Sequence, residues 1–380
     1  GLQPDGSAAA AYYYIADEQW SSCAGMGKTA VFPLISVLDD EERAEHHGRV
    51  IWALGQVGDP AAVGRLEVAL NDERTVIRRV AAEALGQIGD GQAVFSLMKA
   101  LKDRNEAVQW AARNALHDLD LSNAYDLLDN ALQEEDPAIR LMAVELLAKE
   151  DGIPTDRLLT IALIDRDQRV RLQAVGALGQ TEDLDALAEV LASPDPAVRG
   201  TAVRVLGQHD DPQAIAVVAE QIADEDKGVR EAAVTMLAAS GRDEVIGPIC
   251  DVLHDDELEL RLLAAKTLGD LGAVQALPAL RYACQDRHPD VRRAALFSLA
   301  QLEDDELMPL LLTACVDGDA QVRATAVSLL AAYDDPQAIS AMVTATTDEM
   351  APVRETAVRA LARFSGPQSF EALVQARWDK

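Results

Sequence analysis

The sequence predicts an all-α fold, a right-handed α-solenoid (an alpha-alpha superhelix) of about eleven helix-pair repeats with period 31. Three observations carry that expectation. The stretch DPAVRGTAVRVLG at 195–207 recurs along the chain: aligned on Arg199, its register returns at Arg78, Arg140, Arg171, Arg230, Arg261, Arg292, Arg323 and Arg354, with His47 and Gln109 as stand-ins. The step between copies is 31 residues throughout, except for 28 between Arg171 and Arg199; a fixed period of this length marks stacked repeats. The apolar residues fall at i, i+3, i+4 and i+7, the spacing of one helix face, and no segment alternates as a strand would.

Each copy explains its own helix. An alanine three places after the arginine (Ala81, Ala112, Ala143, Ala174, Ala202 and onward, with Val50 departing) and a leucine seven places after it make one apolar stripe. The small residue at its centre lets a neighbouring helix come close. Asp136-Pro137 and Asp195-Pro196 provide an N-cap followed by proline at the first helical position. Gly55, Gly86, Gly179, Gly207 and Gly269 are expected to stop the helix. A second periodic segment precedes each copy, as in PAAVGRLEVAL at 60–70, and Asp59-Pro60, Asp211-Pro212 and Asp335-Pro336 start three of these. The unit is helix A, turn, helix B. One pair cannot bury both of its apolar faces, so pairs must stack, and stability is nearest-neighbour.

With these residues in view, the chain resembles HEAT-like repeats of the phycobilisome-lyase type, whose helix B reads D-x-x-V-R-x-x-A-x-x-A-L-G. VREAAVTMLA at 229–238 and VRRAALFSLA at 291–300 carry the pattern, and the resemblance covers roughly 29–365. It implies the fold, and a family that mixes pigment-handling proteins with adaptors. It also brings an aspartate six residues before the arginine: Asp72, Asp103, Asp165, Asp224, Asp255, Asp286, Asp317 and Asp348, with Glu41 and Glu134 as substitutes and Ser193 as exception. A carboxylate ahead of a helix suits the helix dipole, and a largely buried arginine needs a partner. The two columns are expected to form a structural ladder between repeats.

The ends differ from the array. Residues 1–7 read as a disordered tail and 8–28 as a helical cap, broken near Asp17, in which Tyr12, Tyr13, Tyr14 and Trp20 would cover the first repeat. The array runs over 29–366, and 367–380 form a last capping helix. GMGKT at 25–29 imitates the end of a phosphate-binding loop, but Ser22 stands where the pattern needs glycine and no strand precedes it. DGIP at 151–154 replaces the usual turn, and the short step at 179–191 is expected to change the local curvature.

The net charge is −30, from 64 acidic and 34 basic residues. Lysine is nearly absent, with 7 against 27 arginines, and 39 aspartates outnumber 25 glutamates. This composition points to a salt-rich cytoplasm, where salt screens self-repulsion, and to a haloarchaeal source. It disfavours nucleic acid, whose backbone calls for a basic stripe. No apolar run is long enough for a membrane span, and a cytoplasmic location follows as the expectation. Four scattered cysteines make no disulfide framework. Cys284 and Cys315 take a helix-A core position, and Cys23 in the cap is the thiol least like a core residue.

No catalytic constellation is visible, and neither metal nor cofactor is expected. Deoxyhypusine hydroxylase is a HEAT-repeat enzyme whose His-Glu pairs follow the repeat arginine. The matching positions here are Gly48-Arg49, Arg79-Val80, Leu141-Met142 and Arg293-Ala294. His117-Asp118, His209-Asp210 and His254-Asp255 fall in turns at three different registers, so they do not converge on an ion. Binding is better supported. In the family helix B lines the concave face, and positions one and five after the arginine share a side. The first series gives Arg79, Trp110, Leu141 and Leu172; the second gives Trp52, Glu83, Asn114 and Glu145, then Arg204, Lys266, Phe297 and Arg359. Large apolar side chains in line on an acidic chain mark an interaction patch. The expected function is a non-catalytic scaffold or adaptor for a protein partner, at Trp52, Arg79, Glu83, Trp110, Asn114, Leu141, Glu145 and Leu172. The resemblance implies signalling or taxis as one setting, and a bilin lyase-like, chromophore-handling role as the alternative.

Overall fold

The computed structural model describes residues 7–122, 124–148, 155–181 and 183–376. Among them are eleven consecutive helix pairs, two helices before the first and one after the last, with no strand. The tail at 1–6, the turn at 151–154 and residues 377–380 lie outside the described residues. The chain forms two compact units, Gly1–Ala186 and Leu187–Lys380. Their boundary falls in the helix Leu184–Val190, within the stretch where the repeat step shortens to 28.

The first unit opens with the helices Ala8–Ala16 and Trp20–Ala24, separated where Glu18 takes a left-handed φ of 55°. Its B helices are His47–Val57, Thr75–Ile88, Glu106–Asp118, Pro137–Leu147 and Gln168–Leu178. Each packs on an A helix, from Val31–Leu38 to Thr155–Ile164. The first three A helices enter through a 3-10 turn, and Lys28 of the GMGKT stretch lies in one of these and pairs with Asp59 at 3.6 Å. In the cap, Trp20 is buried, but Tyr12 and Tyr13 are exposed and do not cover the repeat as the sequence suggested. They sit on the helix side away from the buried Ala10, Ala11 and Ile15.

The second unit repeats the plan with B helices Pro196–Leu206, Lys227–Ser240, Leu258–Asp270, Pro289–Gln301, Ala320–Leu330 and Ala351–Leu361, and ends on Pro367–Ala376. The caps follow the sequence. Asp136, Asp195, Asp59, Asp211 and Asp335 each accept a backbone N–H two residues on, with proline next in line.

The Arg and Asp columns do form a ladder. Arg199 donates from Nε and Nη2 to the two carboxylate oxygens of Asp224, both at 2.8 Å, and from Nη1 to the Ser193 carbonyl at 2.9 Å. The same bonds join Arg78 to Asp103, Arg140 to Asp165, Arg230 to Asp255, Arg261 to Asp286, Arg292 to Asp317 and Arg323 to Asp348. Each arginine thus takes the carboxylate of the following repeat, while the acidic position of its own repeat supplies only a backbone carbonyl. All seven aspartates also accept the N–H two residues on, which fixes the turn into the next B helix.

Three of the five glycines expected to stop helices do something else. Gly55, Gly86 and Gly269 do not end helices but lie buried inside them. A Cβ on Gly55 would meet Ala84 Cα at 2.9 Å, one on Gly86 would meet Ala115 Cα at 2.8 Å, and one on Gly269 would meet Ser298 Cβ at 2.8 Å. They are the points where neighbouring B helices touch. Gly179 and Gly207 stand at helix C-caps as expected, and the left-handed stops are Gly58, Gly89 and Gly241, with φ of 69°, 72° and 61°. Gly86→Ala should gain about 1 kcal/mol of helix propensity and lose about 1–3 kcal/mol to overpacking. A lowered melting temperature is the expected net result. Gly176→Ala, where nothing stands within 4 Å of the new Cβ, should raise it.

Candidate protein-binding surface

All eight residues singled out in the sequence lie in the first unit, on B helices. Trp110 is 64% exposed and Trp52 41%. Leu141 and Leu172 are half-buried, so the three apolar side chains do not form one open stripe. Arg79 and Glu83 are half-buried and pair with each other one helical turn apart. Asn114 and Glu145 are half-buried as well.

Around Trp110 the regular packing fails. The ladder is missing a rung there: Gln109 stands for arginine and donates from Nε2 to the Asp103 carbonyl at 2.6 Å, reproducing the backbone bond alone. At the far end, the aspartate of the next repeat is Glu134, which Gln109 does not reach. At the earlier defect the gap is patched. His47 reaches the Asp40 carbonyl at 3.3 Å, and the vacated Asp72 carboxylate is taken by Arg74 at 2.8 and 2.9 Å.

A second change coincides with the lost rung. Eight places after the arginine position, Gly55 and Gly86 give way to His117, and the residue opposite, Ala84 and Ala115 in the earlier seams, becomes Leu146. His117 lies in the last turn of the helix Glu106–Asp118, not in a loop as the sequence suggested, and its Nε2 sits 3.6 Å from Glu145. Two small surfaces have become two large ones. The backbones of Glu106–Asp118 and Pro137–Leu147 accordingly hardly approach within 8 Å, whereas the A helices Val94–Ala100 and Tyr125–Leu132 remain packed. The B side of this seam is wedged open beside Trp110. Sequence reasoning noted the lost rung but missed the wedge, whose signal is the single bulky residue in the first unit's glycine column.

Elsewhere, Cys250, Cys284 and Cys315 are only half-buried, so Cys284 and Cys315 do not take the full core position that the sequence suggested. Cys23 is fully buried, contrary to its sequence reading, and burial pushes its pKa up. Burial also pushes Cys284 to about 12 and Cys315 to about 11. Among the described residues no three His, Cys, Asp or Glu side chains stand together as a ligand set, and no helix is long and apolar enough to cross a membrane.

Stacked helix pairs joined by a side-chain ladder define an α-helical repeat protein of the solenoid class. The chain belongs to the HEAT repeat family: the model of HEAT repeats matches residues 31–116, 94–179, 155–238, 184–259, 246–320 and 308–380. No curated protein sequence matches it significantly. Similar solved structures include yeast importin-β (Kap95p), 15% identical over 88% of this chain and 57% of that one, with a TM-score of 0.40. An engineered protein is 19% identical over 88% of this chain and 98% of its own, with a TM-score of 0.34. The CpcE–CpcF complex of phycocyanin lyase from a Nostoc species is 19% identical over 66% and 93%, with a TM-score of 0.28. At these identities the likeness is one of fold alone.

Proposed function

We propose that the chain is a non-catalytic cytoplasmic scaffold that binds a protein partner on the B-helix face of its first unit, centred on Trp110. The observation that carries this reading is an exposed tryptophan beside a seam whose B helices have parted. A large aromatic held in water is costly unless it is covered by something else, and tryptophan is the residue most enriched among interface anchors. Trp52, Arg79, Leu141 and Leu172 would frame the contact. A signalling or taxis component is the concrete form of the partner, in a salt-rich cell of the kind that the composition suits. A chromophore-handling role fits less well, because Cys23 is sealed in the cap; an absorbance spectrum of protein purified from its host tests it.

Replacing Trp110 with a photoreactive benzoyl-phenylalanine in the host tests the reading directly. The expected result is one protein crosslinked from position 110 and from position 52, and not from Val316, which is exposed in the second unit. Trp110→Ala should then weaken that partner by about 30-fold, the effect of removing a 2 kcal/mol anchor, and leave the melting temperature unchanged. Crosslinks no different from those at position 316 would overturn it.

A further inference from the structure

The second unit carries a different surface on its B helices. Five places after each arginine stand Arg204, Thr235, Lys266, Phe297, Ser328 and Arg359, a row with three cations and no carboxylate in a chain of 64 acidic residues. Over the last three repeats a groove of about 380 Å³ opens on this row. Phe297, Ser328, Thr356, Arg359 and Arg363 line it, together with small residues, and no acidic side chain does. Phe297 is half exposed there. Arg359 leans on Glu355 at 3.2 Å, but both are largely in water; Arg363 and Lys266 make no ion pair among the described residues. Arginine near a helix C-terminus also suits the helix dipole, which accounts for Arg359 and Arg363 singly. The same holds for Arg204, in the last turn of its own helix, but not for Lys266 or for the exclusion of acid from the whole row.

We propose that this groove binds a short acidic segment of a protein partner, with carboxylates on Arg359 and Arg363 and an apolar side chain against Phe297. Paired guanidinium and carboxylate groups match in geometry as well as charge. The net charge of −30 opposes any anion at long range, but at physiological ionic strength charges beyond roughly 8 Å are screened, so the local arginines decide. That repulsion grows with ligand length, which favours a short peptide over a nucleic acid strand. The groove belongs to the second unit and Trp110 to the first, and neither proposal depends on the other.

The test is selection of random twelve-residue displayed peptides on the full chain, with counter-selection on Arg359→Glu/Arg363→Glu. Both arginines are exposed, so the variant should keep the wild-type melting temperature. Enriched peptides should carry an excess of Asp and Glu around one large apolar residue, and synthetic copies should bind the double variant at least tenfold more weakly. Trp110→Asp should bind them unchanged, which separates this site from the first. Enrichment of neutral or basic peptides, or of peptides indifferent to the double substitution, would overturn the proposal. So would retention of a single-stranded oligonucleotide through the same arginines when no acidic peptide is retained.

Discussion

Arg199→Ala is expected to destabilise the second unit by about 3–5 kcal/mol, the cost of leaving a buried charge without its partner. Arg199 and Asp224 are each only 7% exposed at the side chain. Removing the guanidinium strands the Asp224 carboxylate and also frees the Ser193 carbonyl. The attraction itself contributes less than this figure, because two charges had to leave water to make it. Replacing both partners, as Arg199→Met/Asp224→Leu, should therefore recover at least half of the loss. Recovery stays incomplete because Asp224 also accepts the Asp226 N–H. Urea denaturation followed by hydrogen exchange in the second unit provides the readout. A single-variant loss below about 1 kcal/mol, the range of surface pairs, would show that the ladder is peripheral.

Stability should pass through a maximum in mildly acidic solution and collapse below it. Two effects of opposite sign set the shape. From neutral pH down towards the isoelectric point of about 4.4, protonation relieves the self-repulsion of a chain at −30, and stability rises. The ladder responds later. At Asp103 and Asp348 the hydrogen bonds from arginine hold the carboxyl below its ordinary value. At Asp224 and Asp317 burial pushes upward, and the arginine and backbone hydrogen bonds outweigh it. A carboxyl depressed in the folded state stabilises fully above its unfolded pKa, about 3.9, and that contribution is lost as pH falls through the folded value. Melting temperatures should therefore climb from pH 7 to about 4.5 and fall steeply beneath about 3.9. A monotonic fall from pH 7 would show that the ladder outweighs the self-repulsion of the surface charge over the whole range. A flat profile down to pH 2 would mean that the rungs contribute nothing.

The period, the helix pairs and the ladder were legible in the sequence because each recurs, so that local irregularities average out against the register. Arg199 and Asp224 stand in the right columns without any coordinates. Gly86 was legible as important but misread. A glycine near a helix end is ambiguous between a stop and a contact, and only the 2.8 Å approach of Ala115 decides it. The contrast between the exposed Trp110 and the half-buried Leu141 and Leu172 was beyond sequence reasoning for a related reason. Whether a side chain at that position is covered depends on the separation of two B helices, set jointly by His117 and Leu146 from different repeats. Tyr12 and Tyr13 failed for want of any repeat to compare them with.

The ladder has a bearing on cooperativity. Each shared aspartate gives its carboxylate to the arginine before it and its carbonyl to the arginine after it, so consecutive helix pairs are wired in series. In the second unit the wiring runs unbroken from Arg199–Asp224 to Arg323–Asp348. In a one-dimensional array, strong couplings between neighbours merge them into one folding unit, and a weak coupling is where that unit divides. The second unit should thus open all at once. The first should open at the Gln109 seam, with the helix pairs on either side closing again independently. Within the first unit, a pull would give way first beside Trp110, which makes the residue offered to a partner also the one placed to report strain.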